Sequence, residues 1–336
     1  MSAVSALILP VLAAVGLMLV NGVVLIYMLR KVLGHLHLRL GPTHVGPKGI
    51  VQTTADVLKL LSKEDVRPNG ADRWMYVLGP VIVFVPSLMA YAAIPFSETL
   101  RITRLDTGLL YTFAVLSLVP LGVIMAGWAS ANKYSLIGAL RAAAQQVAYE
   151  VPLLLSVLPV VMIAGSLDLG EIVAFQTGVW MGVVPRWFVL LMVPSFVIFM
   201  IAALCELNQT PFDMSEAESE LVAGFATEYS SMKFGLIFLS EFSNSFVISA
   251  LAVTLFFGGW TLPFVPESIL APIAPIVFVA KTYAGIFVFM WIRGTLPRVR
   301  IDHLMNLGWK WLIPASLVWI MLVGVVMKLA APGGVG

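Results

Sequence analysis

An all-α polytopic membrane protein is expected from this sequence on three grounds. Hydrophobic residues fill 60% of the 336 positions and charged residues only 11%, too little charge to cover the surface of a soluble domain of this length. Apolar runs of roughly 20 residues, the length that crosses a hydrocarbon core, recur about eight times. The charges are gathered in the segments between those runs. We therefore read residues 1–336 as a single integral membrane domain with tilted or kinked spans near 4–29, 75–96, 107–129, 138–165, 187–205, 234–258, 270–292 and 309–330.

The first run is apolar from Ala3 to Leu29 and its first positive charges, Arg30 and Lys31, follow it. That order predicts a retained helix rather than a cleaved signal peptide. The loop 30–74 comes next. Its GPTHVGPKG stretch is rich in turn formers. Beyond it, Ile50, Val51, Val57, Leu58 and Leu61 recur at helical spacing, which predicts an amphipathic helix over 50–62 lying along the membrane interface. Pro86, Pro120, Pro152, Pro159 and Pro194 fall inside later spans. Each removes a backbone donor, so kinks are expected there. The fourth span carries Arg141, which can snorkel from a helix end, and Gln146 one turn before Glu150. Glu241 lies about two turns into the sixth span and Lys281 near the middle of the seventh. Charges at such depth normally face a bundle interior or a wet cavity. The plainer alternative is a structural ion pair, for example Glu241 with Lys281.

Lys and Arg set the expected orientation. The odd-numbered loops hold Arg30, Lys31, Arg39, Lys48, Lys59, Lys63, Arg67, Arg73, Lys133, Lys233, Arg293, Arg298, Arg300 and Lys310, and the even loops only Arg101, Arg104 and Arg186. The bias places the odd loops in the cytoplasm and both termini on the opposite side.

Between the fifth and sixth spans, 206–233 reads ELNQTPFDMSEAESELVAGFATEYSSMK. It carries Glu206, Asp213, Glu216, Glu218, Glu220 and Glu228 against the single basic residue Lys233. If 215–222 is helical, Glu216 and Glu220 share a face. Clustered or desolvated carboxylates hold protons more readily than isolated ones, as a proton relay requires. A solvated acidic loop is the alternative, but Leu221, Val222, Phe225 and Tyr229 interleave the acids and a solvated loop has no need of them. The basic loops 30–74 and 293–310 share the predicted face with this segment, which suggests a docking surface for a peripheral partner.

Several chemistries find no support. A net charge of +2 gives no bulk attraction to nucleic acid. Cys205 is the one cysteine, which excludes an internal disulfide and any cysteine-rich cluster. The histidines 35, 37, 44 and 303 form no metal-ligand pattern, and no phosphate-binding glycine motif occurs. Redox centres, if the protein serves a redox reaction, belong to partners.

Four segments carry a family resemblance: LRLGPTHVGPKGIVQTTADVLKLLSKE, RAAAQQVAYEVPL, the acidic stretch extended through FGLIFLSEF, and WIRGTLPRVRIDHLMNLGWK. In this order they resemble the membrane heel subunit of respiratory complex I, the H-subunit family of NADH:quinone oxidoreductase, over nearly the whole chain. The resemblance implies a subunit that binds no cofactor itself, is not catalytic alone, and works in the bacterial cytoplasmic (inner) membrane or its equivalent. It implies quinone as substrate, with flavin and iron–sulfur clusters in partner subunits. The implied partners are the peripheral-arm quinone-site subunits, the small membrane subunits that lead to the antiporter-like subunits, and membrane lipid. By motif match, Glu150, Glu206, Asp213, Glu216, Glu218, Glu220, Glu228 and Glu241 would carry a proton path. Arg30, Arg39, Asp56, Lys59, Phe234, Phe238, Arg293 and Arg298 would line or support the quinone chamber. The sequence departs from the family pattern at Leu29, His37, Thr43, His44, Ala217, Phe242, Ile301 and His303. The acids are kept while several chamber-side polar groups change. Two other readings stay open at this point: the related membrane component of a hydrogenase-type ion-pumping complex, and a stand-alone secondary transporter.

Overall fold

The computed structural model describes residues 3–180, 184–214, 221–265 and 267–330. The first helix, α1, is Ala3–Leu36. After a single 3-10 turn at Pro47–Gly49 the interfacial helix forms as α2, Gln52–Ser62. Its Thr53 is buried, while Val57, Leu58 and Leu61 remain exposed, the pattern of a helix that offers an apolar face to lipid.

The helices of the first half follow in chain order. α3 is Arg73–Tyr91, capped by Asp72, whose carboxylate accepts from the backbone N–H groups of Trp74 and Met75 at 3.0 Å each. The third run divides into α4, Gly108–Leu116, and α5, Val119–Ala129, because Pro120 suits a helix start and not a helix interior. α3 and α5 pack closely through small residues. A Cβ on Gly122 would lie 2.7 Å from the Val83 backbone nitrogen, and one on Gly79 would lie 2.9 Å from Ala126 Cα. α6, Lys133–Ala164, begins at the cap Asn132 and ends at Gly165, whose left-handed φ of 69° closes the helix. A short helix α7, Leu169–Phe175, and a two-residue hairpin, β1 Val179–Trp180 antiparallel to β2 Val184–Pro185, decorate one end without altering the all-α class.

The fifth run is the least regular. It breaks at Met192 into α8, Phe188–Leu191, and α9, Val193–Glu206, with Pro194 in the first turn of the second piece. At 14 residues, α9 rises only about 21 Å, short of a hydrocarbon core of about 30 Å. Among the described residues, seven other segments, the two-piece α4–α5 included, are long and apolar enough to cross. They include α10, Ser231–Phe256, and α11, Glu267–Thr295. The last comprises α12, Ile301–Asn306, a π-helical stretch Leu307–Leu312 and α13, Ile313–Ala330. Tyr149 in α6 donates from its hydroxyl to the Leu304 carbonyl at 2.6 Å, pinning the start of this span.

The buried centre of the bundle lies along α10, where every residue from Ser245 to Phe256 is buried. Aromatic rings gather against it: Tyr91 stacks on Phe246 at 5.3 Å, and Phe278 meets Phe96 edge-on at 5.6 Å. Because the spans alternate in direction, α2, the starts of α3, α6, α10 and α12, and the ends of α9 and α11 share one end of the bundle. α7, the hairpin and the 258–265 loop lie at the other.

Candidate functional site

The site grows from α6, α9, α10 and α11 where they meet beside the acidic segment. The last carbonyls of a helix lack partners within it, and the end of α9 is held by amides from α6. Gln145 Nε2 donates to Cys205 O at 2.7 Å and to Phe212 O at 2.8 Å. Gln146 Nε2 reaches Glu206 O at 3.5 Å. This places Glu206, the final residue of α9, inside the protein. Gln209 is fixed in turn by its amide, which donates to Ser245 Oγ at 2.9 Å.

A cavity of about 50 Å³ opens here, with Gln146, Glu206, Asn208, Ser240, Glu241 and Asn244 as its polar lining. Val83, Val119, Val123 and Ile237 form the apolar wall. Gln146 Oε1, Glu206 Oε2, Asn208 Oδ1 and Asn244 Oδ1 are buried and receive no hydrogen bond from the described residues. Turning an amide would exchange an acceptor for a donor but still leave a group in need of a partner. Such groups are normally satisfied by internal water, and a polar cavity of this size accommodates it.

Two arginines bind the neighbouring acids. Arg293 Nη1 donates to Glu241 Oε1 at 3.3 Å, with both side chains about a fifth exposed, at 23% and 22%. Arg298 Nη2 donates to Asp213 Oδ2 at 3.2 Å. The backbone N–H of Val299 donates to Pro211 O at 2.8 Å, so the basic loop and the start of the acidic segment are joined by backbone as well as by charge. The charge of Asp213 bears on Glu241, and that of Glu150 bears on Glu206. Of these acids, Glu206 and Glu241 line the cavity itself, while Asp213 and Glu150 bear on them by charge.

Glu228 is placed elsewhere. Its Oε1 accepts from Asn132 Nδ2 at 2.6 Å, and its backbone carbonyl accepts from the Tyr76 hydroxyl at 2.6 Å. Tyr76 stacks on Tyr229 with centroids 4.4 Å apart. Lys233 stands 4.7 Å over the Tyr76 ring and pairs with Asp65 at 2.7 Å. Burial pushes the Tyr229 phenol above its ordinary range, with Tyr76 adding to the effect, so it stays protonated as a donor to Ala126 O at 3.3 Å. This cluster ties the end of the acidic segment to α3 and α6. Glu216, Glu218 and Glu220 lie outside the described residues.

The remaining residues singled out by the sequence form two groups at the same end. Arg30 pairs with Asp56, which also accepts from Gln52 Nε2 at 3.1 Å. Arg30 and Arg39 line a cavity of about 290 Å³ with Leu29, Leu33, Leu40 and Pro42. Lys59 is exposed on α2, one turn beyond Asp56. On α10, Phe234 stacks on Phe238 at 5.8 Å, and Phe238 meets Phe242 edge-on at 4.9 Å. The two groups are neighbours because α2 packs on both α1 and α10.

One sequence-based alternative is corrected. Glu241 pairs with Arg293 and not with Lys281. Lys281 Nζ instead donates to the carbonyls of Phe257, Gly259 and Thr261 at 2.8, 3.1 and 2.6 Å, closing the end of α10. The cause is distance along the antiparallel pair. Glu241 faces the end of α11, some twelve residues, or about 18 Å, beyond Lys281. Sequence reasoning also passed over Gln145, Asn208, Gln209 and Asn244. For Asn208, Gln209 and Asn244 the signal available was an amide within one helical turn of an acid, as Asn244 is of Glu241.

Comparison with known proteins identifies the family. Residues 9–324 match the NADH dehydrogenase family. Among curated relatives, the H subunit of the NADH-quinone oxidoreductase of Geobacillus kaustophilus is 50% identical over 299 residues, covering 88% of this chain and 86% of that protein. Its counterpart in Brevibacillus brevis is 47% identical, covering 90% and 88%. The counterpart in Rhodospirillum centenum is 46% identical, covering 94% and 92%. Matching a family over almost its whole length and its relatives over most of theirs, the chain belongs to the NADH dehydrogenase family.

Proposed function

We propose that this chain is the membrane heel subunit of a multi-subunit NADH:quinone oxidoreductase, that it forms part of the quinone chamber, and that it couples quinone reduction to proton translocation. Arg30, Arg39, Asp56, Lys59, Phe234 and Phe238 form the chamber side. Asp213, Glu241, Glu206 and Glu150 form the proton side, with Glu216, Glu218 and Glu220 continuing it along the acidic segment toward Glu228, which Asn132 holds in a separate cluster. Electrons come from iron–sulfur clusters in the peripheral-arm subunits, and the face carrying the acidic segment is cytoplasmic.

The observation that carries the reading is the buried cavity around Glu206 and Glu241, with its four oxygens that no described protein group satisfies. Reduction of a quinone to a quinol takes up protons together with the electrons. Drawing protons from a poorly hydrated space shifts the protonation of nearby coupled carboxylates. Arg293 and Arg298 hold two of those carboxylates at the chamber edge, so a charge change there is transmitted to Glu241 and across the polar cavity to Glu206 and Glu150.

The test is the pair of variants Glu206→Gln and Glu241→Gln in the assembled complex, with NADH-driven quinone reduction and vesicle acidification measured side by side. The expected result is a fall in protons moved per quinone reduced. Unchanged coupling in both variants would remove these residues from the path.

A further inference from the structure

At the end of the bundle remote from the acidic segment, a cavity of about 460 Å³ lies between the 97–104 turn, α7, the 258–265 loop and the start of α11. The turn is tight: Phe96 and Ser97 donate backbone N–H groups to Leu100 O at 3.2 Å each, and Leu100 N donates to Ser97 Oγ at 2.8 Å. It carries Glu98 at its tip and delivers Arg101 inward. Asp168 fixes Arg101 from below, with Arg101 Nη1 3.6 Å from Asp168 Oδ2, while the same carboxylate caps α7 through the Gly170 N–H at 2.7 Å. The guanidinium lies 5.8 Å from the Trp260 ring centroid and directly over Gly170, where no side chain would fit.

Three features of this cavity are left unmatched by the described residues. Arg101 Nε is buried and has no acceptor, which is uncommon for a charged donor. Arg104, also in the lining, has no carboxylate in salt-bridge range among the described residues. Glu98 and Glu171 line the same space and likewise pair with no cation among them. Cationic and anionic groups thus face one cavity. Leu262, Val265, Leu270, Ala271 and Ala274 give it an apolar side at the end of the bundle where the spans turn back.

We propose that this cavity binds the headgroup of a zwitterionic phospholipid carrying a phosphodiester and a primary amine. The phosphodiester is drawn to the Arg101 guanidinium and to Arg104, a pairing that suits guanidinium groups. The ammonium is held by Glu98 and Glu171, and the acyl chains leave along the apolar side. A purely anionic lipid meets the uncompensated carboxylates of Glu98 and Glu171 there and is disfavoured, as is a simple cation, which leaves Arg104 unmatched.

The test uses the purified, assembled complex and photoreactive analogues of phosphatidylethanolamine and phosphatidylglycerol, with cross-linked peptides mapped by mass spectrometry. Phosphatidylethanolamine is expected to label the 258–274 segment in preference to phosphatidylglycerol. The double variant Glu98→Gln/Glu171→Gln is expected to lower that labelling about tenfold, the loss of roughly 1.4 kcal/mol of attraction, with quinone reduction in detergent unchanged. If the double variant fails to assemble, Arg104→Gln with the same readout serves in its place. Equal labelling by the two lipids, or no labelling at this segment, would overturn the proposal. Complete displacement by soluble phosphoethanolamine at the concentration of the lipid would also overturn it, because the site would then belong to a soluble ligand.

Discussion

Replacing Arg293 by methionine removes the cation from Glu241 while keeping a long apolar stem. At the observed 3.3 Å and an effective dielectric of about 20, the gross attraction between the two charges is about 5 kcal/mol. Part of it offsets the cost of desolvating both groups, so the pair's net worth is smaller. What the substitution exposes is an uncompensated carboxylate among α3, α5 and α10, and breaking a buried pair from one side costs about 3–5 kcal/mol. Glu241 can limit that loss by taking up a proton. Arg293→Met is therefore expected to lower the temperature at which the assembled complex loses NADH-driven quinone reduction. Glu241→Gln alone is expected to have a smaller effect, and the double variant Glu241→Gln/Arg293→Met should recover most of the thermal stability. The cycle should give a coupling energy above about 1 kcal/mol, since directly paired groups couple by about 0.5–3 kcal/mol. Single effects that simply add in the double variant would refute the argument that this ion pair, rather than the stem of Arg293, is what the site needs.

Gly122→Ala places a methyl group against the Val83 backbone. Overpacking of this kind costs about 1–3 kcal/mol, and the expected outcome is less assembled complex on a native gel, with turnover per complex unchanged. Asn132→Ala removes the 2.6 Å hydrogen bond to the Glu228 carboxylate, a charge-assisted bond worth about 1.5–3 kcal/mol. Faster protease cleavage within the acidic segment is expected, while Asn132→Asp, which sets two carboxylates together, should be worse than alanine. Lys281→Met leaves the carbonyls of Phe257, Gly259 and Thr261 without their donor. It should reduce thermal stability without changing the protons moved per quinone reduced, because Lys281 stands apart from the Glu206–Glu241 cavity.

Hydropathy and run length were enough to read the class of fold. A membrane gives a helix no alternative hydrogen-bond partners, so most apolar runs of sufficient length become spans; the fifth run, 187–205, was the exception, breaking at Met192 and leaving α9 short. The same transparency made α2 readable, since its apolar spacing needs only an interface to lie on. Glu206, Asp213 and Glu241 stood out as candidates because acids beside or within apolar runs are costly. Their partners came only from the packing of the bundle. Whether Glu241 meets Lys281 or Arg293 depends on how far α11 slides past α10, and no local pattern encodes that offset. Glu228 reads in sequence as one more acid of the segment, yet Asn132 and Tyr76, 96 and 152 residues away, hold it in a different cluster. The amides Gln145, Asn208 and Asn244 become notable only once α6, α9 and α10 close around them. Burial is a property of the assembled bundle, and burial is what makes the missing partner of an ordinary amide matter.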